Sequence, residues 1–413
     1  MWAESKVAGT RFNSSAKHYW WGTHRLIDPK TTAACVHASA GKLGITRVAR
    51  VTGLDFIGIP VVMVVRPASR NLSVMQGKGL TDDAAFASGL VEALESFCSE
   101  RISGPARLAS VVAAARDPSF LIPELMVSRN PPPDAMIPWT ECVDMFGGRV
   151  RWLPSELVFA DFTSPPHAGQ GYFVTTTNGL AAGNSREEAL LHALCEVIER
   201  DAVALWMAAN REGQANPPLE AGSLTGAGCL HLLALLDATG LRYDIWDITS
   251  DIGVPSYMCA IDDLHNGEEF SLGRIVGTGC HPSADVALCR AITEAAQARL
   301  TIIVGARDDI ELDIYRMMSC NSLLAKVFST SVGRRTAQFE DRSMYTNDIS
   351  DDLQVVLDRL DACGIDTVVY SELPCPVEHM SCVRVLAPQL EGVFEKPWYR
   401  PGKRARVLSA ALR

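Results

Sequence analysis

Three long helical segments of this chain each carry a narrow polar stripe on an otherwise apolar or small-residue surface; they run from Ala84 to Arg101, from Arg186 to Asn210 and from Ser283 to Ile303. At about 100° per residue, Glu188, His192, Glu196 and Glu199 share one band of the second segment, while Leu190, Leu191, Leu194, Val197, Ile198 and Ala202 take most of the rest. The first segment places Ser88, Glu92 and Glu95 at i, i+4 and i+7, and the third repeats that spacing with Arg290, Glu294 and Gln297. A solvent-facing helix spreads its charges more widely and pairs acid with base at i,i+4, whereas these stripes stack like charges. One stripe alone reads as the wet side of a surface helix. Three of the same periodicity point to a shared interior site in which a cation compensates the carboxylates.

The second segment opens with Asn184 and Ser185 at its expected N-cap, and Glu187 and Glu188 in the first turn suit the helix dipole. Stretches rich in Val and Ile alternate with the helices: Gly58 to Val65, Tyr243 to Ile248, Thr367 to Tyr370 and Cys382 to Leu386. The fold class is therefore mixed α/β. Proline-rich loops, such as Asn130 to Asp134, Ser164 to His167 and Ala215 to Pro218, punctuate one unit and are too short to be flexible linkers.

Carboxylate oxygens without a Cys/His set suit a hard cation, and Mg²⁺ usually shares a few carboxylates with the phosphates of a nucleotide. Arg200, Arg290 and Lys78 supply positive charge for those phosphates, Lys78 from the turn-like Gln76-Gly77-Lys78-Gly79. There is no GxxxxGK[ST] loop, and no GxGxxG follows a strand, which excludes a P-loop ATPase and a dinucleotide fold.

Other functions are narrowed by composition. Lys and Arg total 38 against 48 Asp and Glu, a net charge of −10, so the overall field offers no affinity for a nucleic-acid backbone. The longest apolar run, Ile57 to Val65, is broken by Gly58 and Pro60 and falls short of the ~20 residues that span a bilayer. The first residues carry no apolar signal core, so cytoplasmic residence is expected. The 12 cysteines are scattered without a CxxC pair and read as reduced core residues; Cys375, His379 and Cys382 make only an incomplete zinc set. His18, His37, His231 and His265 read as surface or core residues, while His24 and His281 stay open.

With these residues in place, the chain resembles the YcaO family. The family's helical signatures SxxxExxE, QxxxExxER and RxxxE stand in order as Ser88/Glu92/Glu95, His192/Glu196/Glu199/Arg200 and Arg290/Glu294. The surrounding segments are equally similar: Gln76 to Leu80, Asn178 to Asn184, and Gly277 to Pro282. The resemblance covers residues 22–392, leaving an N-terminal extension of residues 1–21 and a basic tail of residues 393–413. It implies a fold of mixed β-sheets packed with helices, with an ATP site between the three striped helices. The implied activity is ATP-dependent phosphorylation of a peptide amide oxygen, after which a nucleophile attacks and phosphate leaves. Carried over, Glu92, Glu95, Asn184, Glu188, Glu196 and Glu199 form the implied Mg²⁺ shell. Ser88, Lys78, His192, Arg200, Arg290 and Glu294 are the implied nucleotide contacts, and Arg25 and Thr32 correspond to the family's N-terminal Lys and Ser.

Two departures stand out. His192 replaces the signature Gln, which leaves a donor and an acceptor on a smaller ring. The chain closes on Arg404 to Arg413 and lacks the PxPxP tail that resembles azoline-forming members. Segments Gly22 to Arg25, Gly44 to Ala49 and Thr52 to Asp55 resemble the TfuA-associated subgroup, which implies a thioamide product, a peptide or protein substrate, and a TfuA-like partner delivering sulfur or substrate. An azoline-forming cyclodehydratase is the alternative, and a non-catalytic nucleotide-binding accessory protein the third reading. A homodimer is expected. The tail residues Lys396, Arg400, Lys403, Arg404 and Arg406 read either as a solvated end or as a contact for an acidic partner.

Overall fold

A computed structural model describes residues 12–102, 106–123, 126–263, 272–307, 309–310, 335–392 and 399–412. His265 and Lys396 lie outside them. The described helices are α1 (Pro29–Ala38), α2 (Asp82–Ser99), α3 (Val111–Ala114), α4 (Ser155–Val158), α5 (Arg186–Arg211), α6 (Ala227–Asp237), α7 (Ala284–Val304), α8 (Ile349–Ala362) and α9 (Lys403–Leu412). The strands are β1 (Arg47–Arg50), β2 (Val61–Val65), β3 (Val74–Lys78), β4 (Ala106–Ala109), β5 (Ile137–Asp144), β6 (Val150–Pro154), β7 (Leu180–Gly183), β8 (Arg242–Asp247), β9 (Ser256–Asp263), β10 (Gly273–Cys280), β11 (Val369–Leu373) and β12 (Ser381–Leu386).

The strands form three antiparallel sheets. Two have three strands each, in the orders β1-β2-β3 and β10-β9-β8; the third runs β4-β5-β11-β12-β7, with β6 also paired to β5. Each striped helix packs on a different sheet: α2 on β2 and β3, α5 on β7 and β12, and α7 on β9 and β10. The mixed α/β expectation is met, and the three polar stripes meet where the sheets adjoin.

Each striped helix starts on a hydroxyl cap, which satisfies one of its free N–H groups. Thr81 accepts from Ala84 N at 3.1 Å, Ser185 from Glu188 N at 3.1 Å and Ser283 from Val286 N at 3.4 Å. The Thr81 cap starts α2 two residues before the expected Ala84 and places Asp82 and Asp83 in its first turn. Strand edges shift similarly: the run expected from Gly58 pairs only from Val61, because Pro60 has no N–H to give to a ladder.

Two glycines allow helices and strands to touch. A Cβ on Gly77 would lie 2.0 Å from Gly89 N, and one on Gly277 would lie 2.1 Å from Ala295 N. Both contacts need bare backbone on the strand. They press β3 against α2 beside Lys78, and β10 against α7 beside Glu294.

The apolar faces of α5 and α8 meet β7, β11 and β12 in one buried cluster that includes Leu190, Leu194, Leu353 and Val383. A second cluster joins α2 and α4 to the other face of that sheet, and a third joins α6 and α7 to β8 and β9. The basic tail is neither of the two things its charge suggests at Arg404. That guanidinium packs α9 onto α5, bonding the buried Asp201 carboxylate at 2.9 Å through Nε and Nη2. Arg400, Lys403 and Arg406 are exposed.

Candidate active site

A cavity of about 1010 Å³ opens between α2, α5 and α7, and all fourteen residues expected from the sequence line it. Helix α2 contributes Ser88, Glu92 and Glu95; α5 contributes Glu188, His192, Glu196, Glu199 and Arg200; α7 contributes Arg290 and Glu294. Lys78 enters from the end of β3, Asn184 from the turn after β7, and Arg25 and Thr32 from the N-terminal segment.

The first half of the cavity is organised around Glu188. Its carboxylate accepts from Leu26 N at 2.9 Å, from Asn184 N at 3.2 Å and from Asn184 Nδ2 at 3.0 Å, and Arg25 Nη1 lies 3.9 Å away. Thr32 Oγ1 donates to Asn184 Oδ1 at 3.2 Å. The expected caps divide their work: Ser185 caps the helix and Asn184 holds Glu188.

The second half joins α5 to α7. Lys78 Nζ lies 2.5 Å from Glu294 Oε2, and Thr278 Oγ1 donates to Glu199 Oε1 at 2.7 Å and approaches Glu294 Oε1 at 3.3 Å. Burial alone would push the Glu294 carboxyl up, but Lys78, Arg200 and Arg290 outweigh it and hold the group at about 2. Arg290 Nη1 is 3.3 Å from His192 Nδ1. Burial first, and then Arg290, drives the His192 imidazole well below its ordinary range, so it meets the guanidinium as a neutral acceptor.

Other carboxylates are short of cations. Burial pushes Glu92 up to about 7 against the pull of Lys78, and pushes Glu196 up to about 7 against Arg200. Burial also raises Glu95 well above its ordinary range, although Ala182 N donates to its Oε1 at 2.7 Å. Such a set is poised to receive positive charge. Among the described residues, no three His, Cys, Asp or Glu side chains converge closely enough to hold a metal unaided. The lining offers carboxylate and amide oxygens, the donor type Mg²⁺ takes alongside phosphates and water. Among the described residues Nε of Arg290 is buried without a hydrogen-bond partner, a donor left for an anion.

Several cavity residues were not singled out by the stripes. Thr278, which bonds Glu199 and Glu294 from behind the lining, sits in the Gly277-Thr278-Gly279 segment, whose glycines were the available signal. Gln76, whose carbonyl accepts from Gln297 Nε2 at 3.0 Å, stands one residue before Gly77. Asn178, Phe162 and Arg307 left no periodic signal because they lie outside the helices.

Features outside the cavity settle simply. His18, His37 and His231 are exposed, whereas His24 and His281 are buried in edge-to-face contact with ring centroids 5.1 Å apart. All the described cysteines are free, and Cys98 meets the thiols of Cys375 and Cys382 in the core. No described helix is long and apolar enough to cross a membrane.

The family profile described as YcaO cyclodehydratase, ATP- and Mg²⁺-binding, matches residues 76–391. The chain belongs to the YcaO family. A relative from Rhizobium leguminosarum bv. trifolii, described as an uncharacterized protein in the tfuA 3' region, is 33% identical over 388 residues and 92% of each chain. An uncharacterized protein of Methanothermobacter thermautotrophicus is 31% identical over 390 residues, 92% of this chain and 98% of its own. Among solved structures, YcaO from Methanopyrus kandleri bound with AMPPCP and Mg²⁺ matches at a TM-score of 0.73 and 22% identity, over 94% of this chain and 98% of that one. A heterocyclase in complex with substrate and cofactor matches at 0.76 and 19% identity, over 93% of this chain and 55% of that longer one. These two likenesses show a shared YcaO fold.

Proposed function

We propose that this YcaO protein uses ATP and Mg²⁺ to phosphorylate a backbone amide oxygen of a peptide or protein and directs a sulfur nucleophile to the activated carbon. The observation that carries this reading is the convergence of three acidic stripes, with Lys78, Arg200 and Arg290, on one cavity. When bound, Mg²⁺ would supply charge neutralisation for the nucleotide phosphates, and Glu92, Glu95, Asn184, Glu188, Glu196 and Glu199 line the cavity as the residues from which a few would hold it together with the phosphates. Lys78, Arg290 and Arg200 orient the phosphates, and Glu294 fixes Lys78 and stays ionised.

The reaction balances as follows. The amide oxygen takes the terminal phosphoryl group and ADP departs; hydrosulfide then adds to the carbon; phosphate leaves with the original oxygen, and loss of a proton gives the thioamide. The relative in the tfuA 3' region supports the thioamide product and a TfuA-like partner. The profile's cyclodehydratase description favours the second reading, in which a neighbouring Cys, Ser or Thr attacks and the product is an azoline.

A peptide carrying ¹⁸O in the target amide tests the activation step, because the label is expected in released phosphate; unlabelled phosphate refutes it. Mass spectrometry separates the products: replacement of oxygen by sulfur that depends on a sulfide source supports the thioamide. Loss of water without any sulfur source establishes the azoline. A protein that binds nucleotide but turns over no ATP with any peptide is an accessory protein.

A further inference from the structure

The segment from Asn13 to Asp28 is tied to the starts of α5 and α8 before it reaches the cavity. Asn13 N donates to Glu187 Oε1 at 3.2 Å, Ser15 N to Asp348 Oδ1 at 2.9 Å, and Lys17 N to Asn347 O at 3.0 Å. Tyr19 and Arg25 then exchange backbone bonds of 3.0 and 3.1 Å, which turns the chain back on itself. Two groups reach Glu188 from the end of this turn. The Arg25 guanidinium lies 3.9 Å from the carboxylate, and Leu26 N donates to it at 2.9 Å.

Thr23 and Arg25 line the cavity, but His24 between them is buried in a separate cluster. Its ring meets Trp20, Tyr345 and His281 edge-on, with centroids 4.6, 4.7 and 5.1 Å away. Lys17 Nζ stands 3.3 Å from His24 Nδ1. The Lys17 side chain has no exposed surface, and an ammonium carries three N–H groups and no acceptor. One N–H goes to the Asp352 carboxylate and one to Thr346 O at 2.8 Å, so the third falls to His24 Nδ1. Burial, and then the charges of Lys17 and Arg25, lower the imidazole to about 3, which keeps the ring neutral and able to accept. His281 Nδ1 in turn accepts from Ser283 N at 2.9 Å in the turn that caps α7. His24 thereby joins the N-terminal segment to α8 and to the helix that carries Arg290 and Glu294.

We propose that His24, held by Lys17, is a positioning residue that sets the Arg25 guanidinium and Leu26 N–H at Glu188 for nucleotide binding. It acts through its neighbours in the chain. Without its acceptor, Lys17 keeps a buried N–H unpaired; the segment relieves this by shifting to admit water, and Arg25 and Leu26 shift with it. This assignment rests on the nucleotide reading of the cavity.

The test uses two variants that separate the ring from its acceptor. His24→Phe keeps an aromatic ring without the acceptor, and His24→Asn keeps an acceptor near the place of Nδ1 without the ring. Affinity for AMPPCP–Mg²⁺ by calorimetry should fall about tenfold in His24→Phe, the loss of one hydrogen bond to a charged group, and stay within about threefold of wild type in His24→Asn. Amide hydrogen exchange without nucleotide should quicken at Leu26 in His24→Phe and stay near wild type in His24→Asn. Arg25→Ala should weaken binding by itself, and adding His24→Phe to it should cost little more, because both act on one contact. Asn weakening binding as much as Phe would reduce His24 to a packing residue and overturn the proposal. Unchanged Leu26 exchange in His24→Phe, or additive losses with Arg25→Ala, also overturns it. Wild-type protein that binds no AMPPCP–Mg²⁺ refutes the nucleotide reading, and Leu26 exchange then decides alone whether His24 anchors the segment.

Discussion

Lys78 at the end of β3 and Glu294 in α7 are 216 positions apart in sequence and meet at 2.5 Å inside the cavity. The pair ties the first sheet to the third helix and fixes one cation beside the acidic stripes. It also sets a sign for pH dependence. Glu294 is held at about 2 against an ordinary 4.5, so its contribution to stability is present above 4.5 and is lost as pH falls toward 2. In Lys78→Met, the melting temperature should fall at pH 7, and the gap to wild type should shrink as pH drops below 4.5. Nucleotide affinity should fall about tenfold or more, as expected for one charge-assisted contact. An unchanged nucleotide affinity by calorimetry contradicts the assignment of Lys78.

Removing one carboxylate charge should separate catalysis from folding. Glu196→Gln or Glu199→Gln takes away charge that Mg²⁺ needs and relieves crowding in the nucleotide-free protein. ATP turnover is expected to fall by about 100-fold or more, beyond the ~10–100-fold typical of outer-sphere partners. Thermal stability without nucleotide should stay level or rise. Full turnover by Glu199→Gln removes that stripe from the metal assignment.

His192 serves Arg290 as a neutral acceptor, and its charged form lies outside the working pH range. His192→Gln, which restores the family signature, should therefore retain turnover within a few-fold and leave the pH profile above 6 unchanged. His192→Leu should lose about tenfold, because Arg290 loses an acceptor. A pH-rate limb near 6 that vanishes in His192→Gln would contradict the neutral assignment.

Arg404 is a structural partner far along the chain from the stripes. Asp201 has no exposed side-chain surface and accepts from both Arg404 and Glu391 N. Arg404→Met strands this carboxylate and should cost about 3 kcal/mol in urea unfolding. The apparent ATP affinity of the folded protein should not change. A drop in affinity at full folding would tie the tail to the site.

Sequence alone determined the helices, their stripes and the chemistry of the stripes. Each of those properties is periodic and local: a carboxylate every turn among Leu, Val and Ala can be read from spacing, and Ser185 and Ser283 mark helix starts by their hydroxyls. Tertiary structure decided which side chains meet. The contact of Lys78 with Glu294, the bridge from Thr278 to Glu199, and the burial of Arg404 on Asp201 each join segments at least 79 positions apart. Composition and period carry no information on such pairs, and for that reason the tail charge was ambiguous.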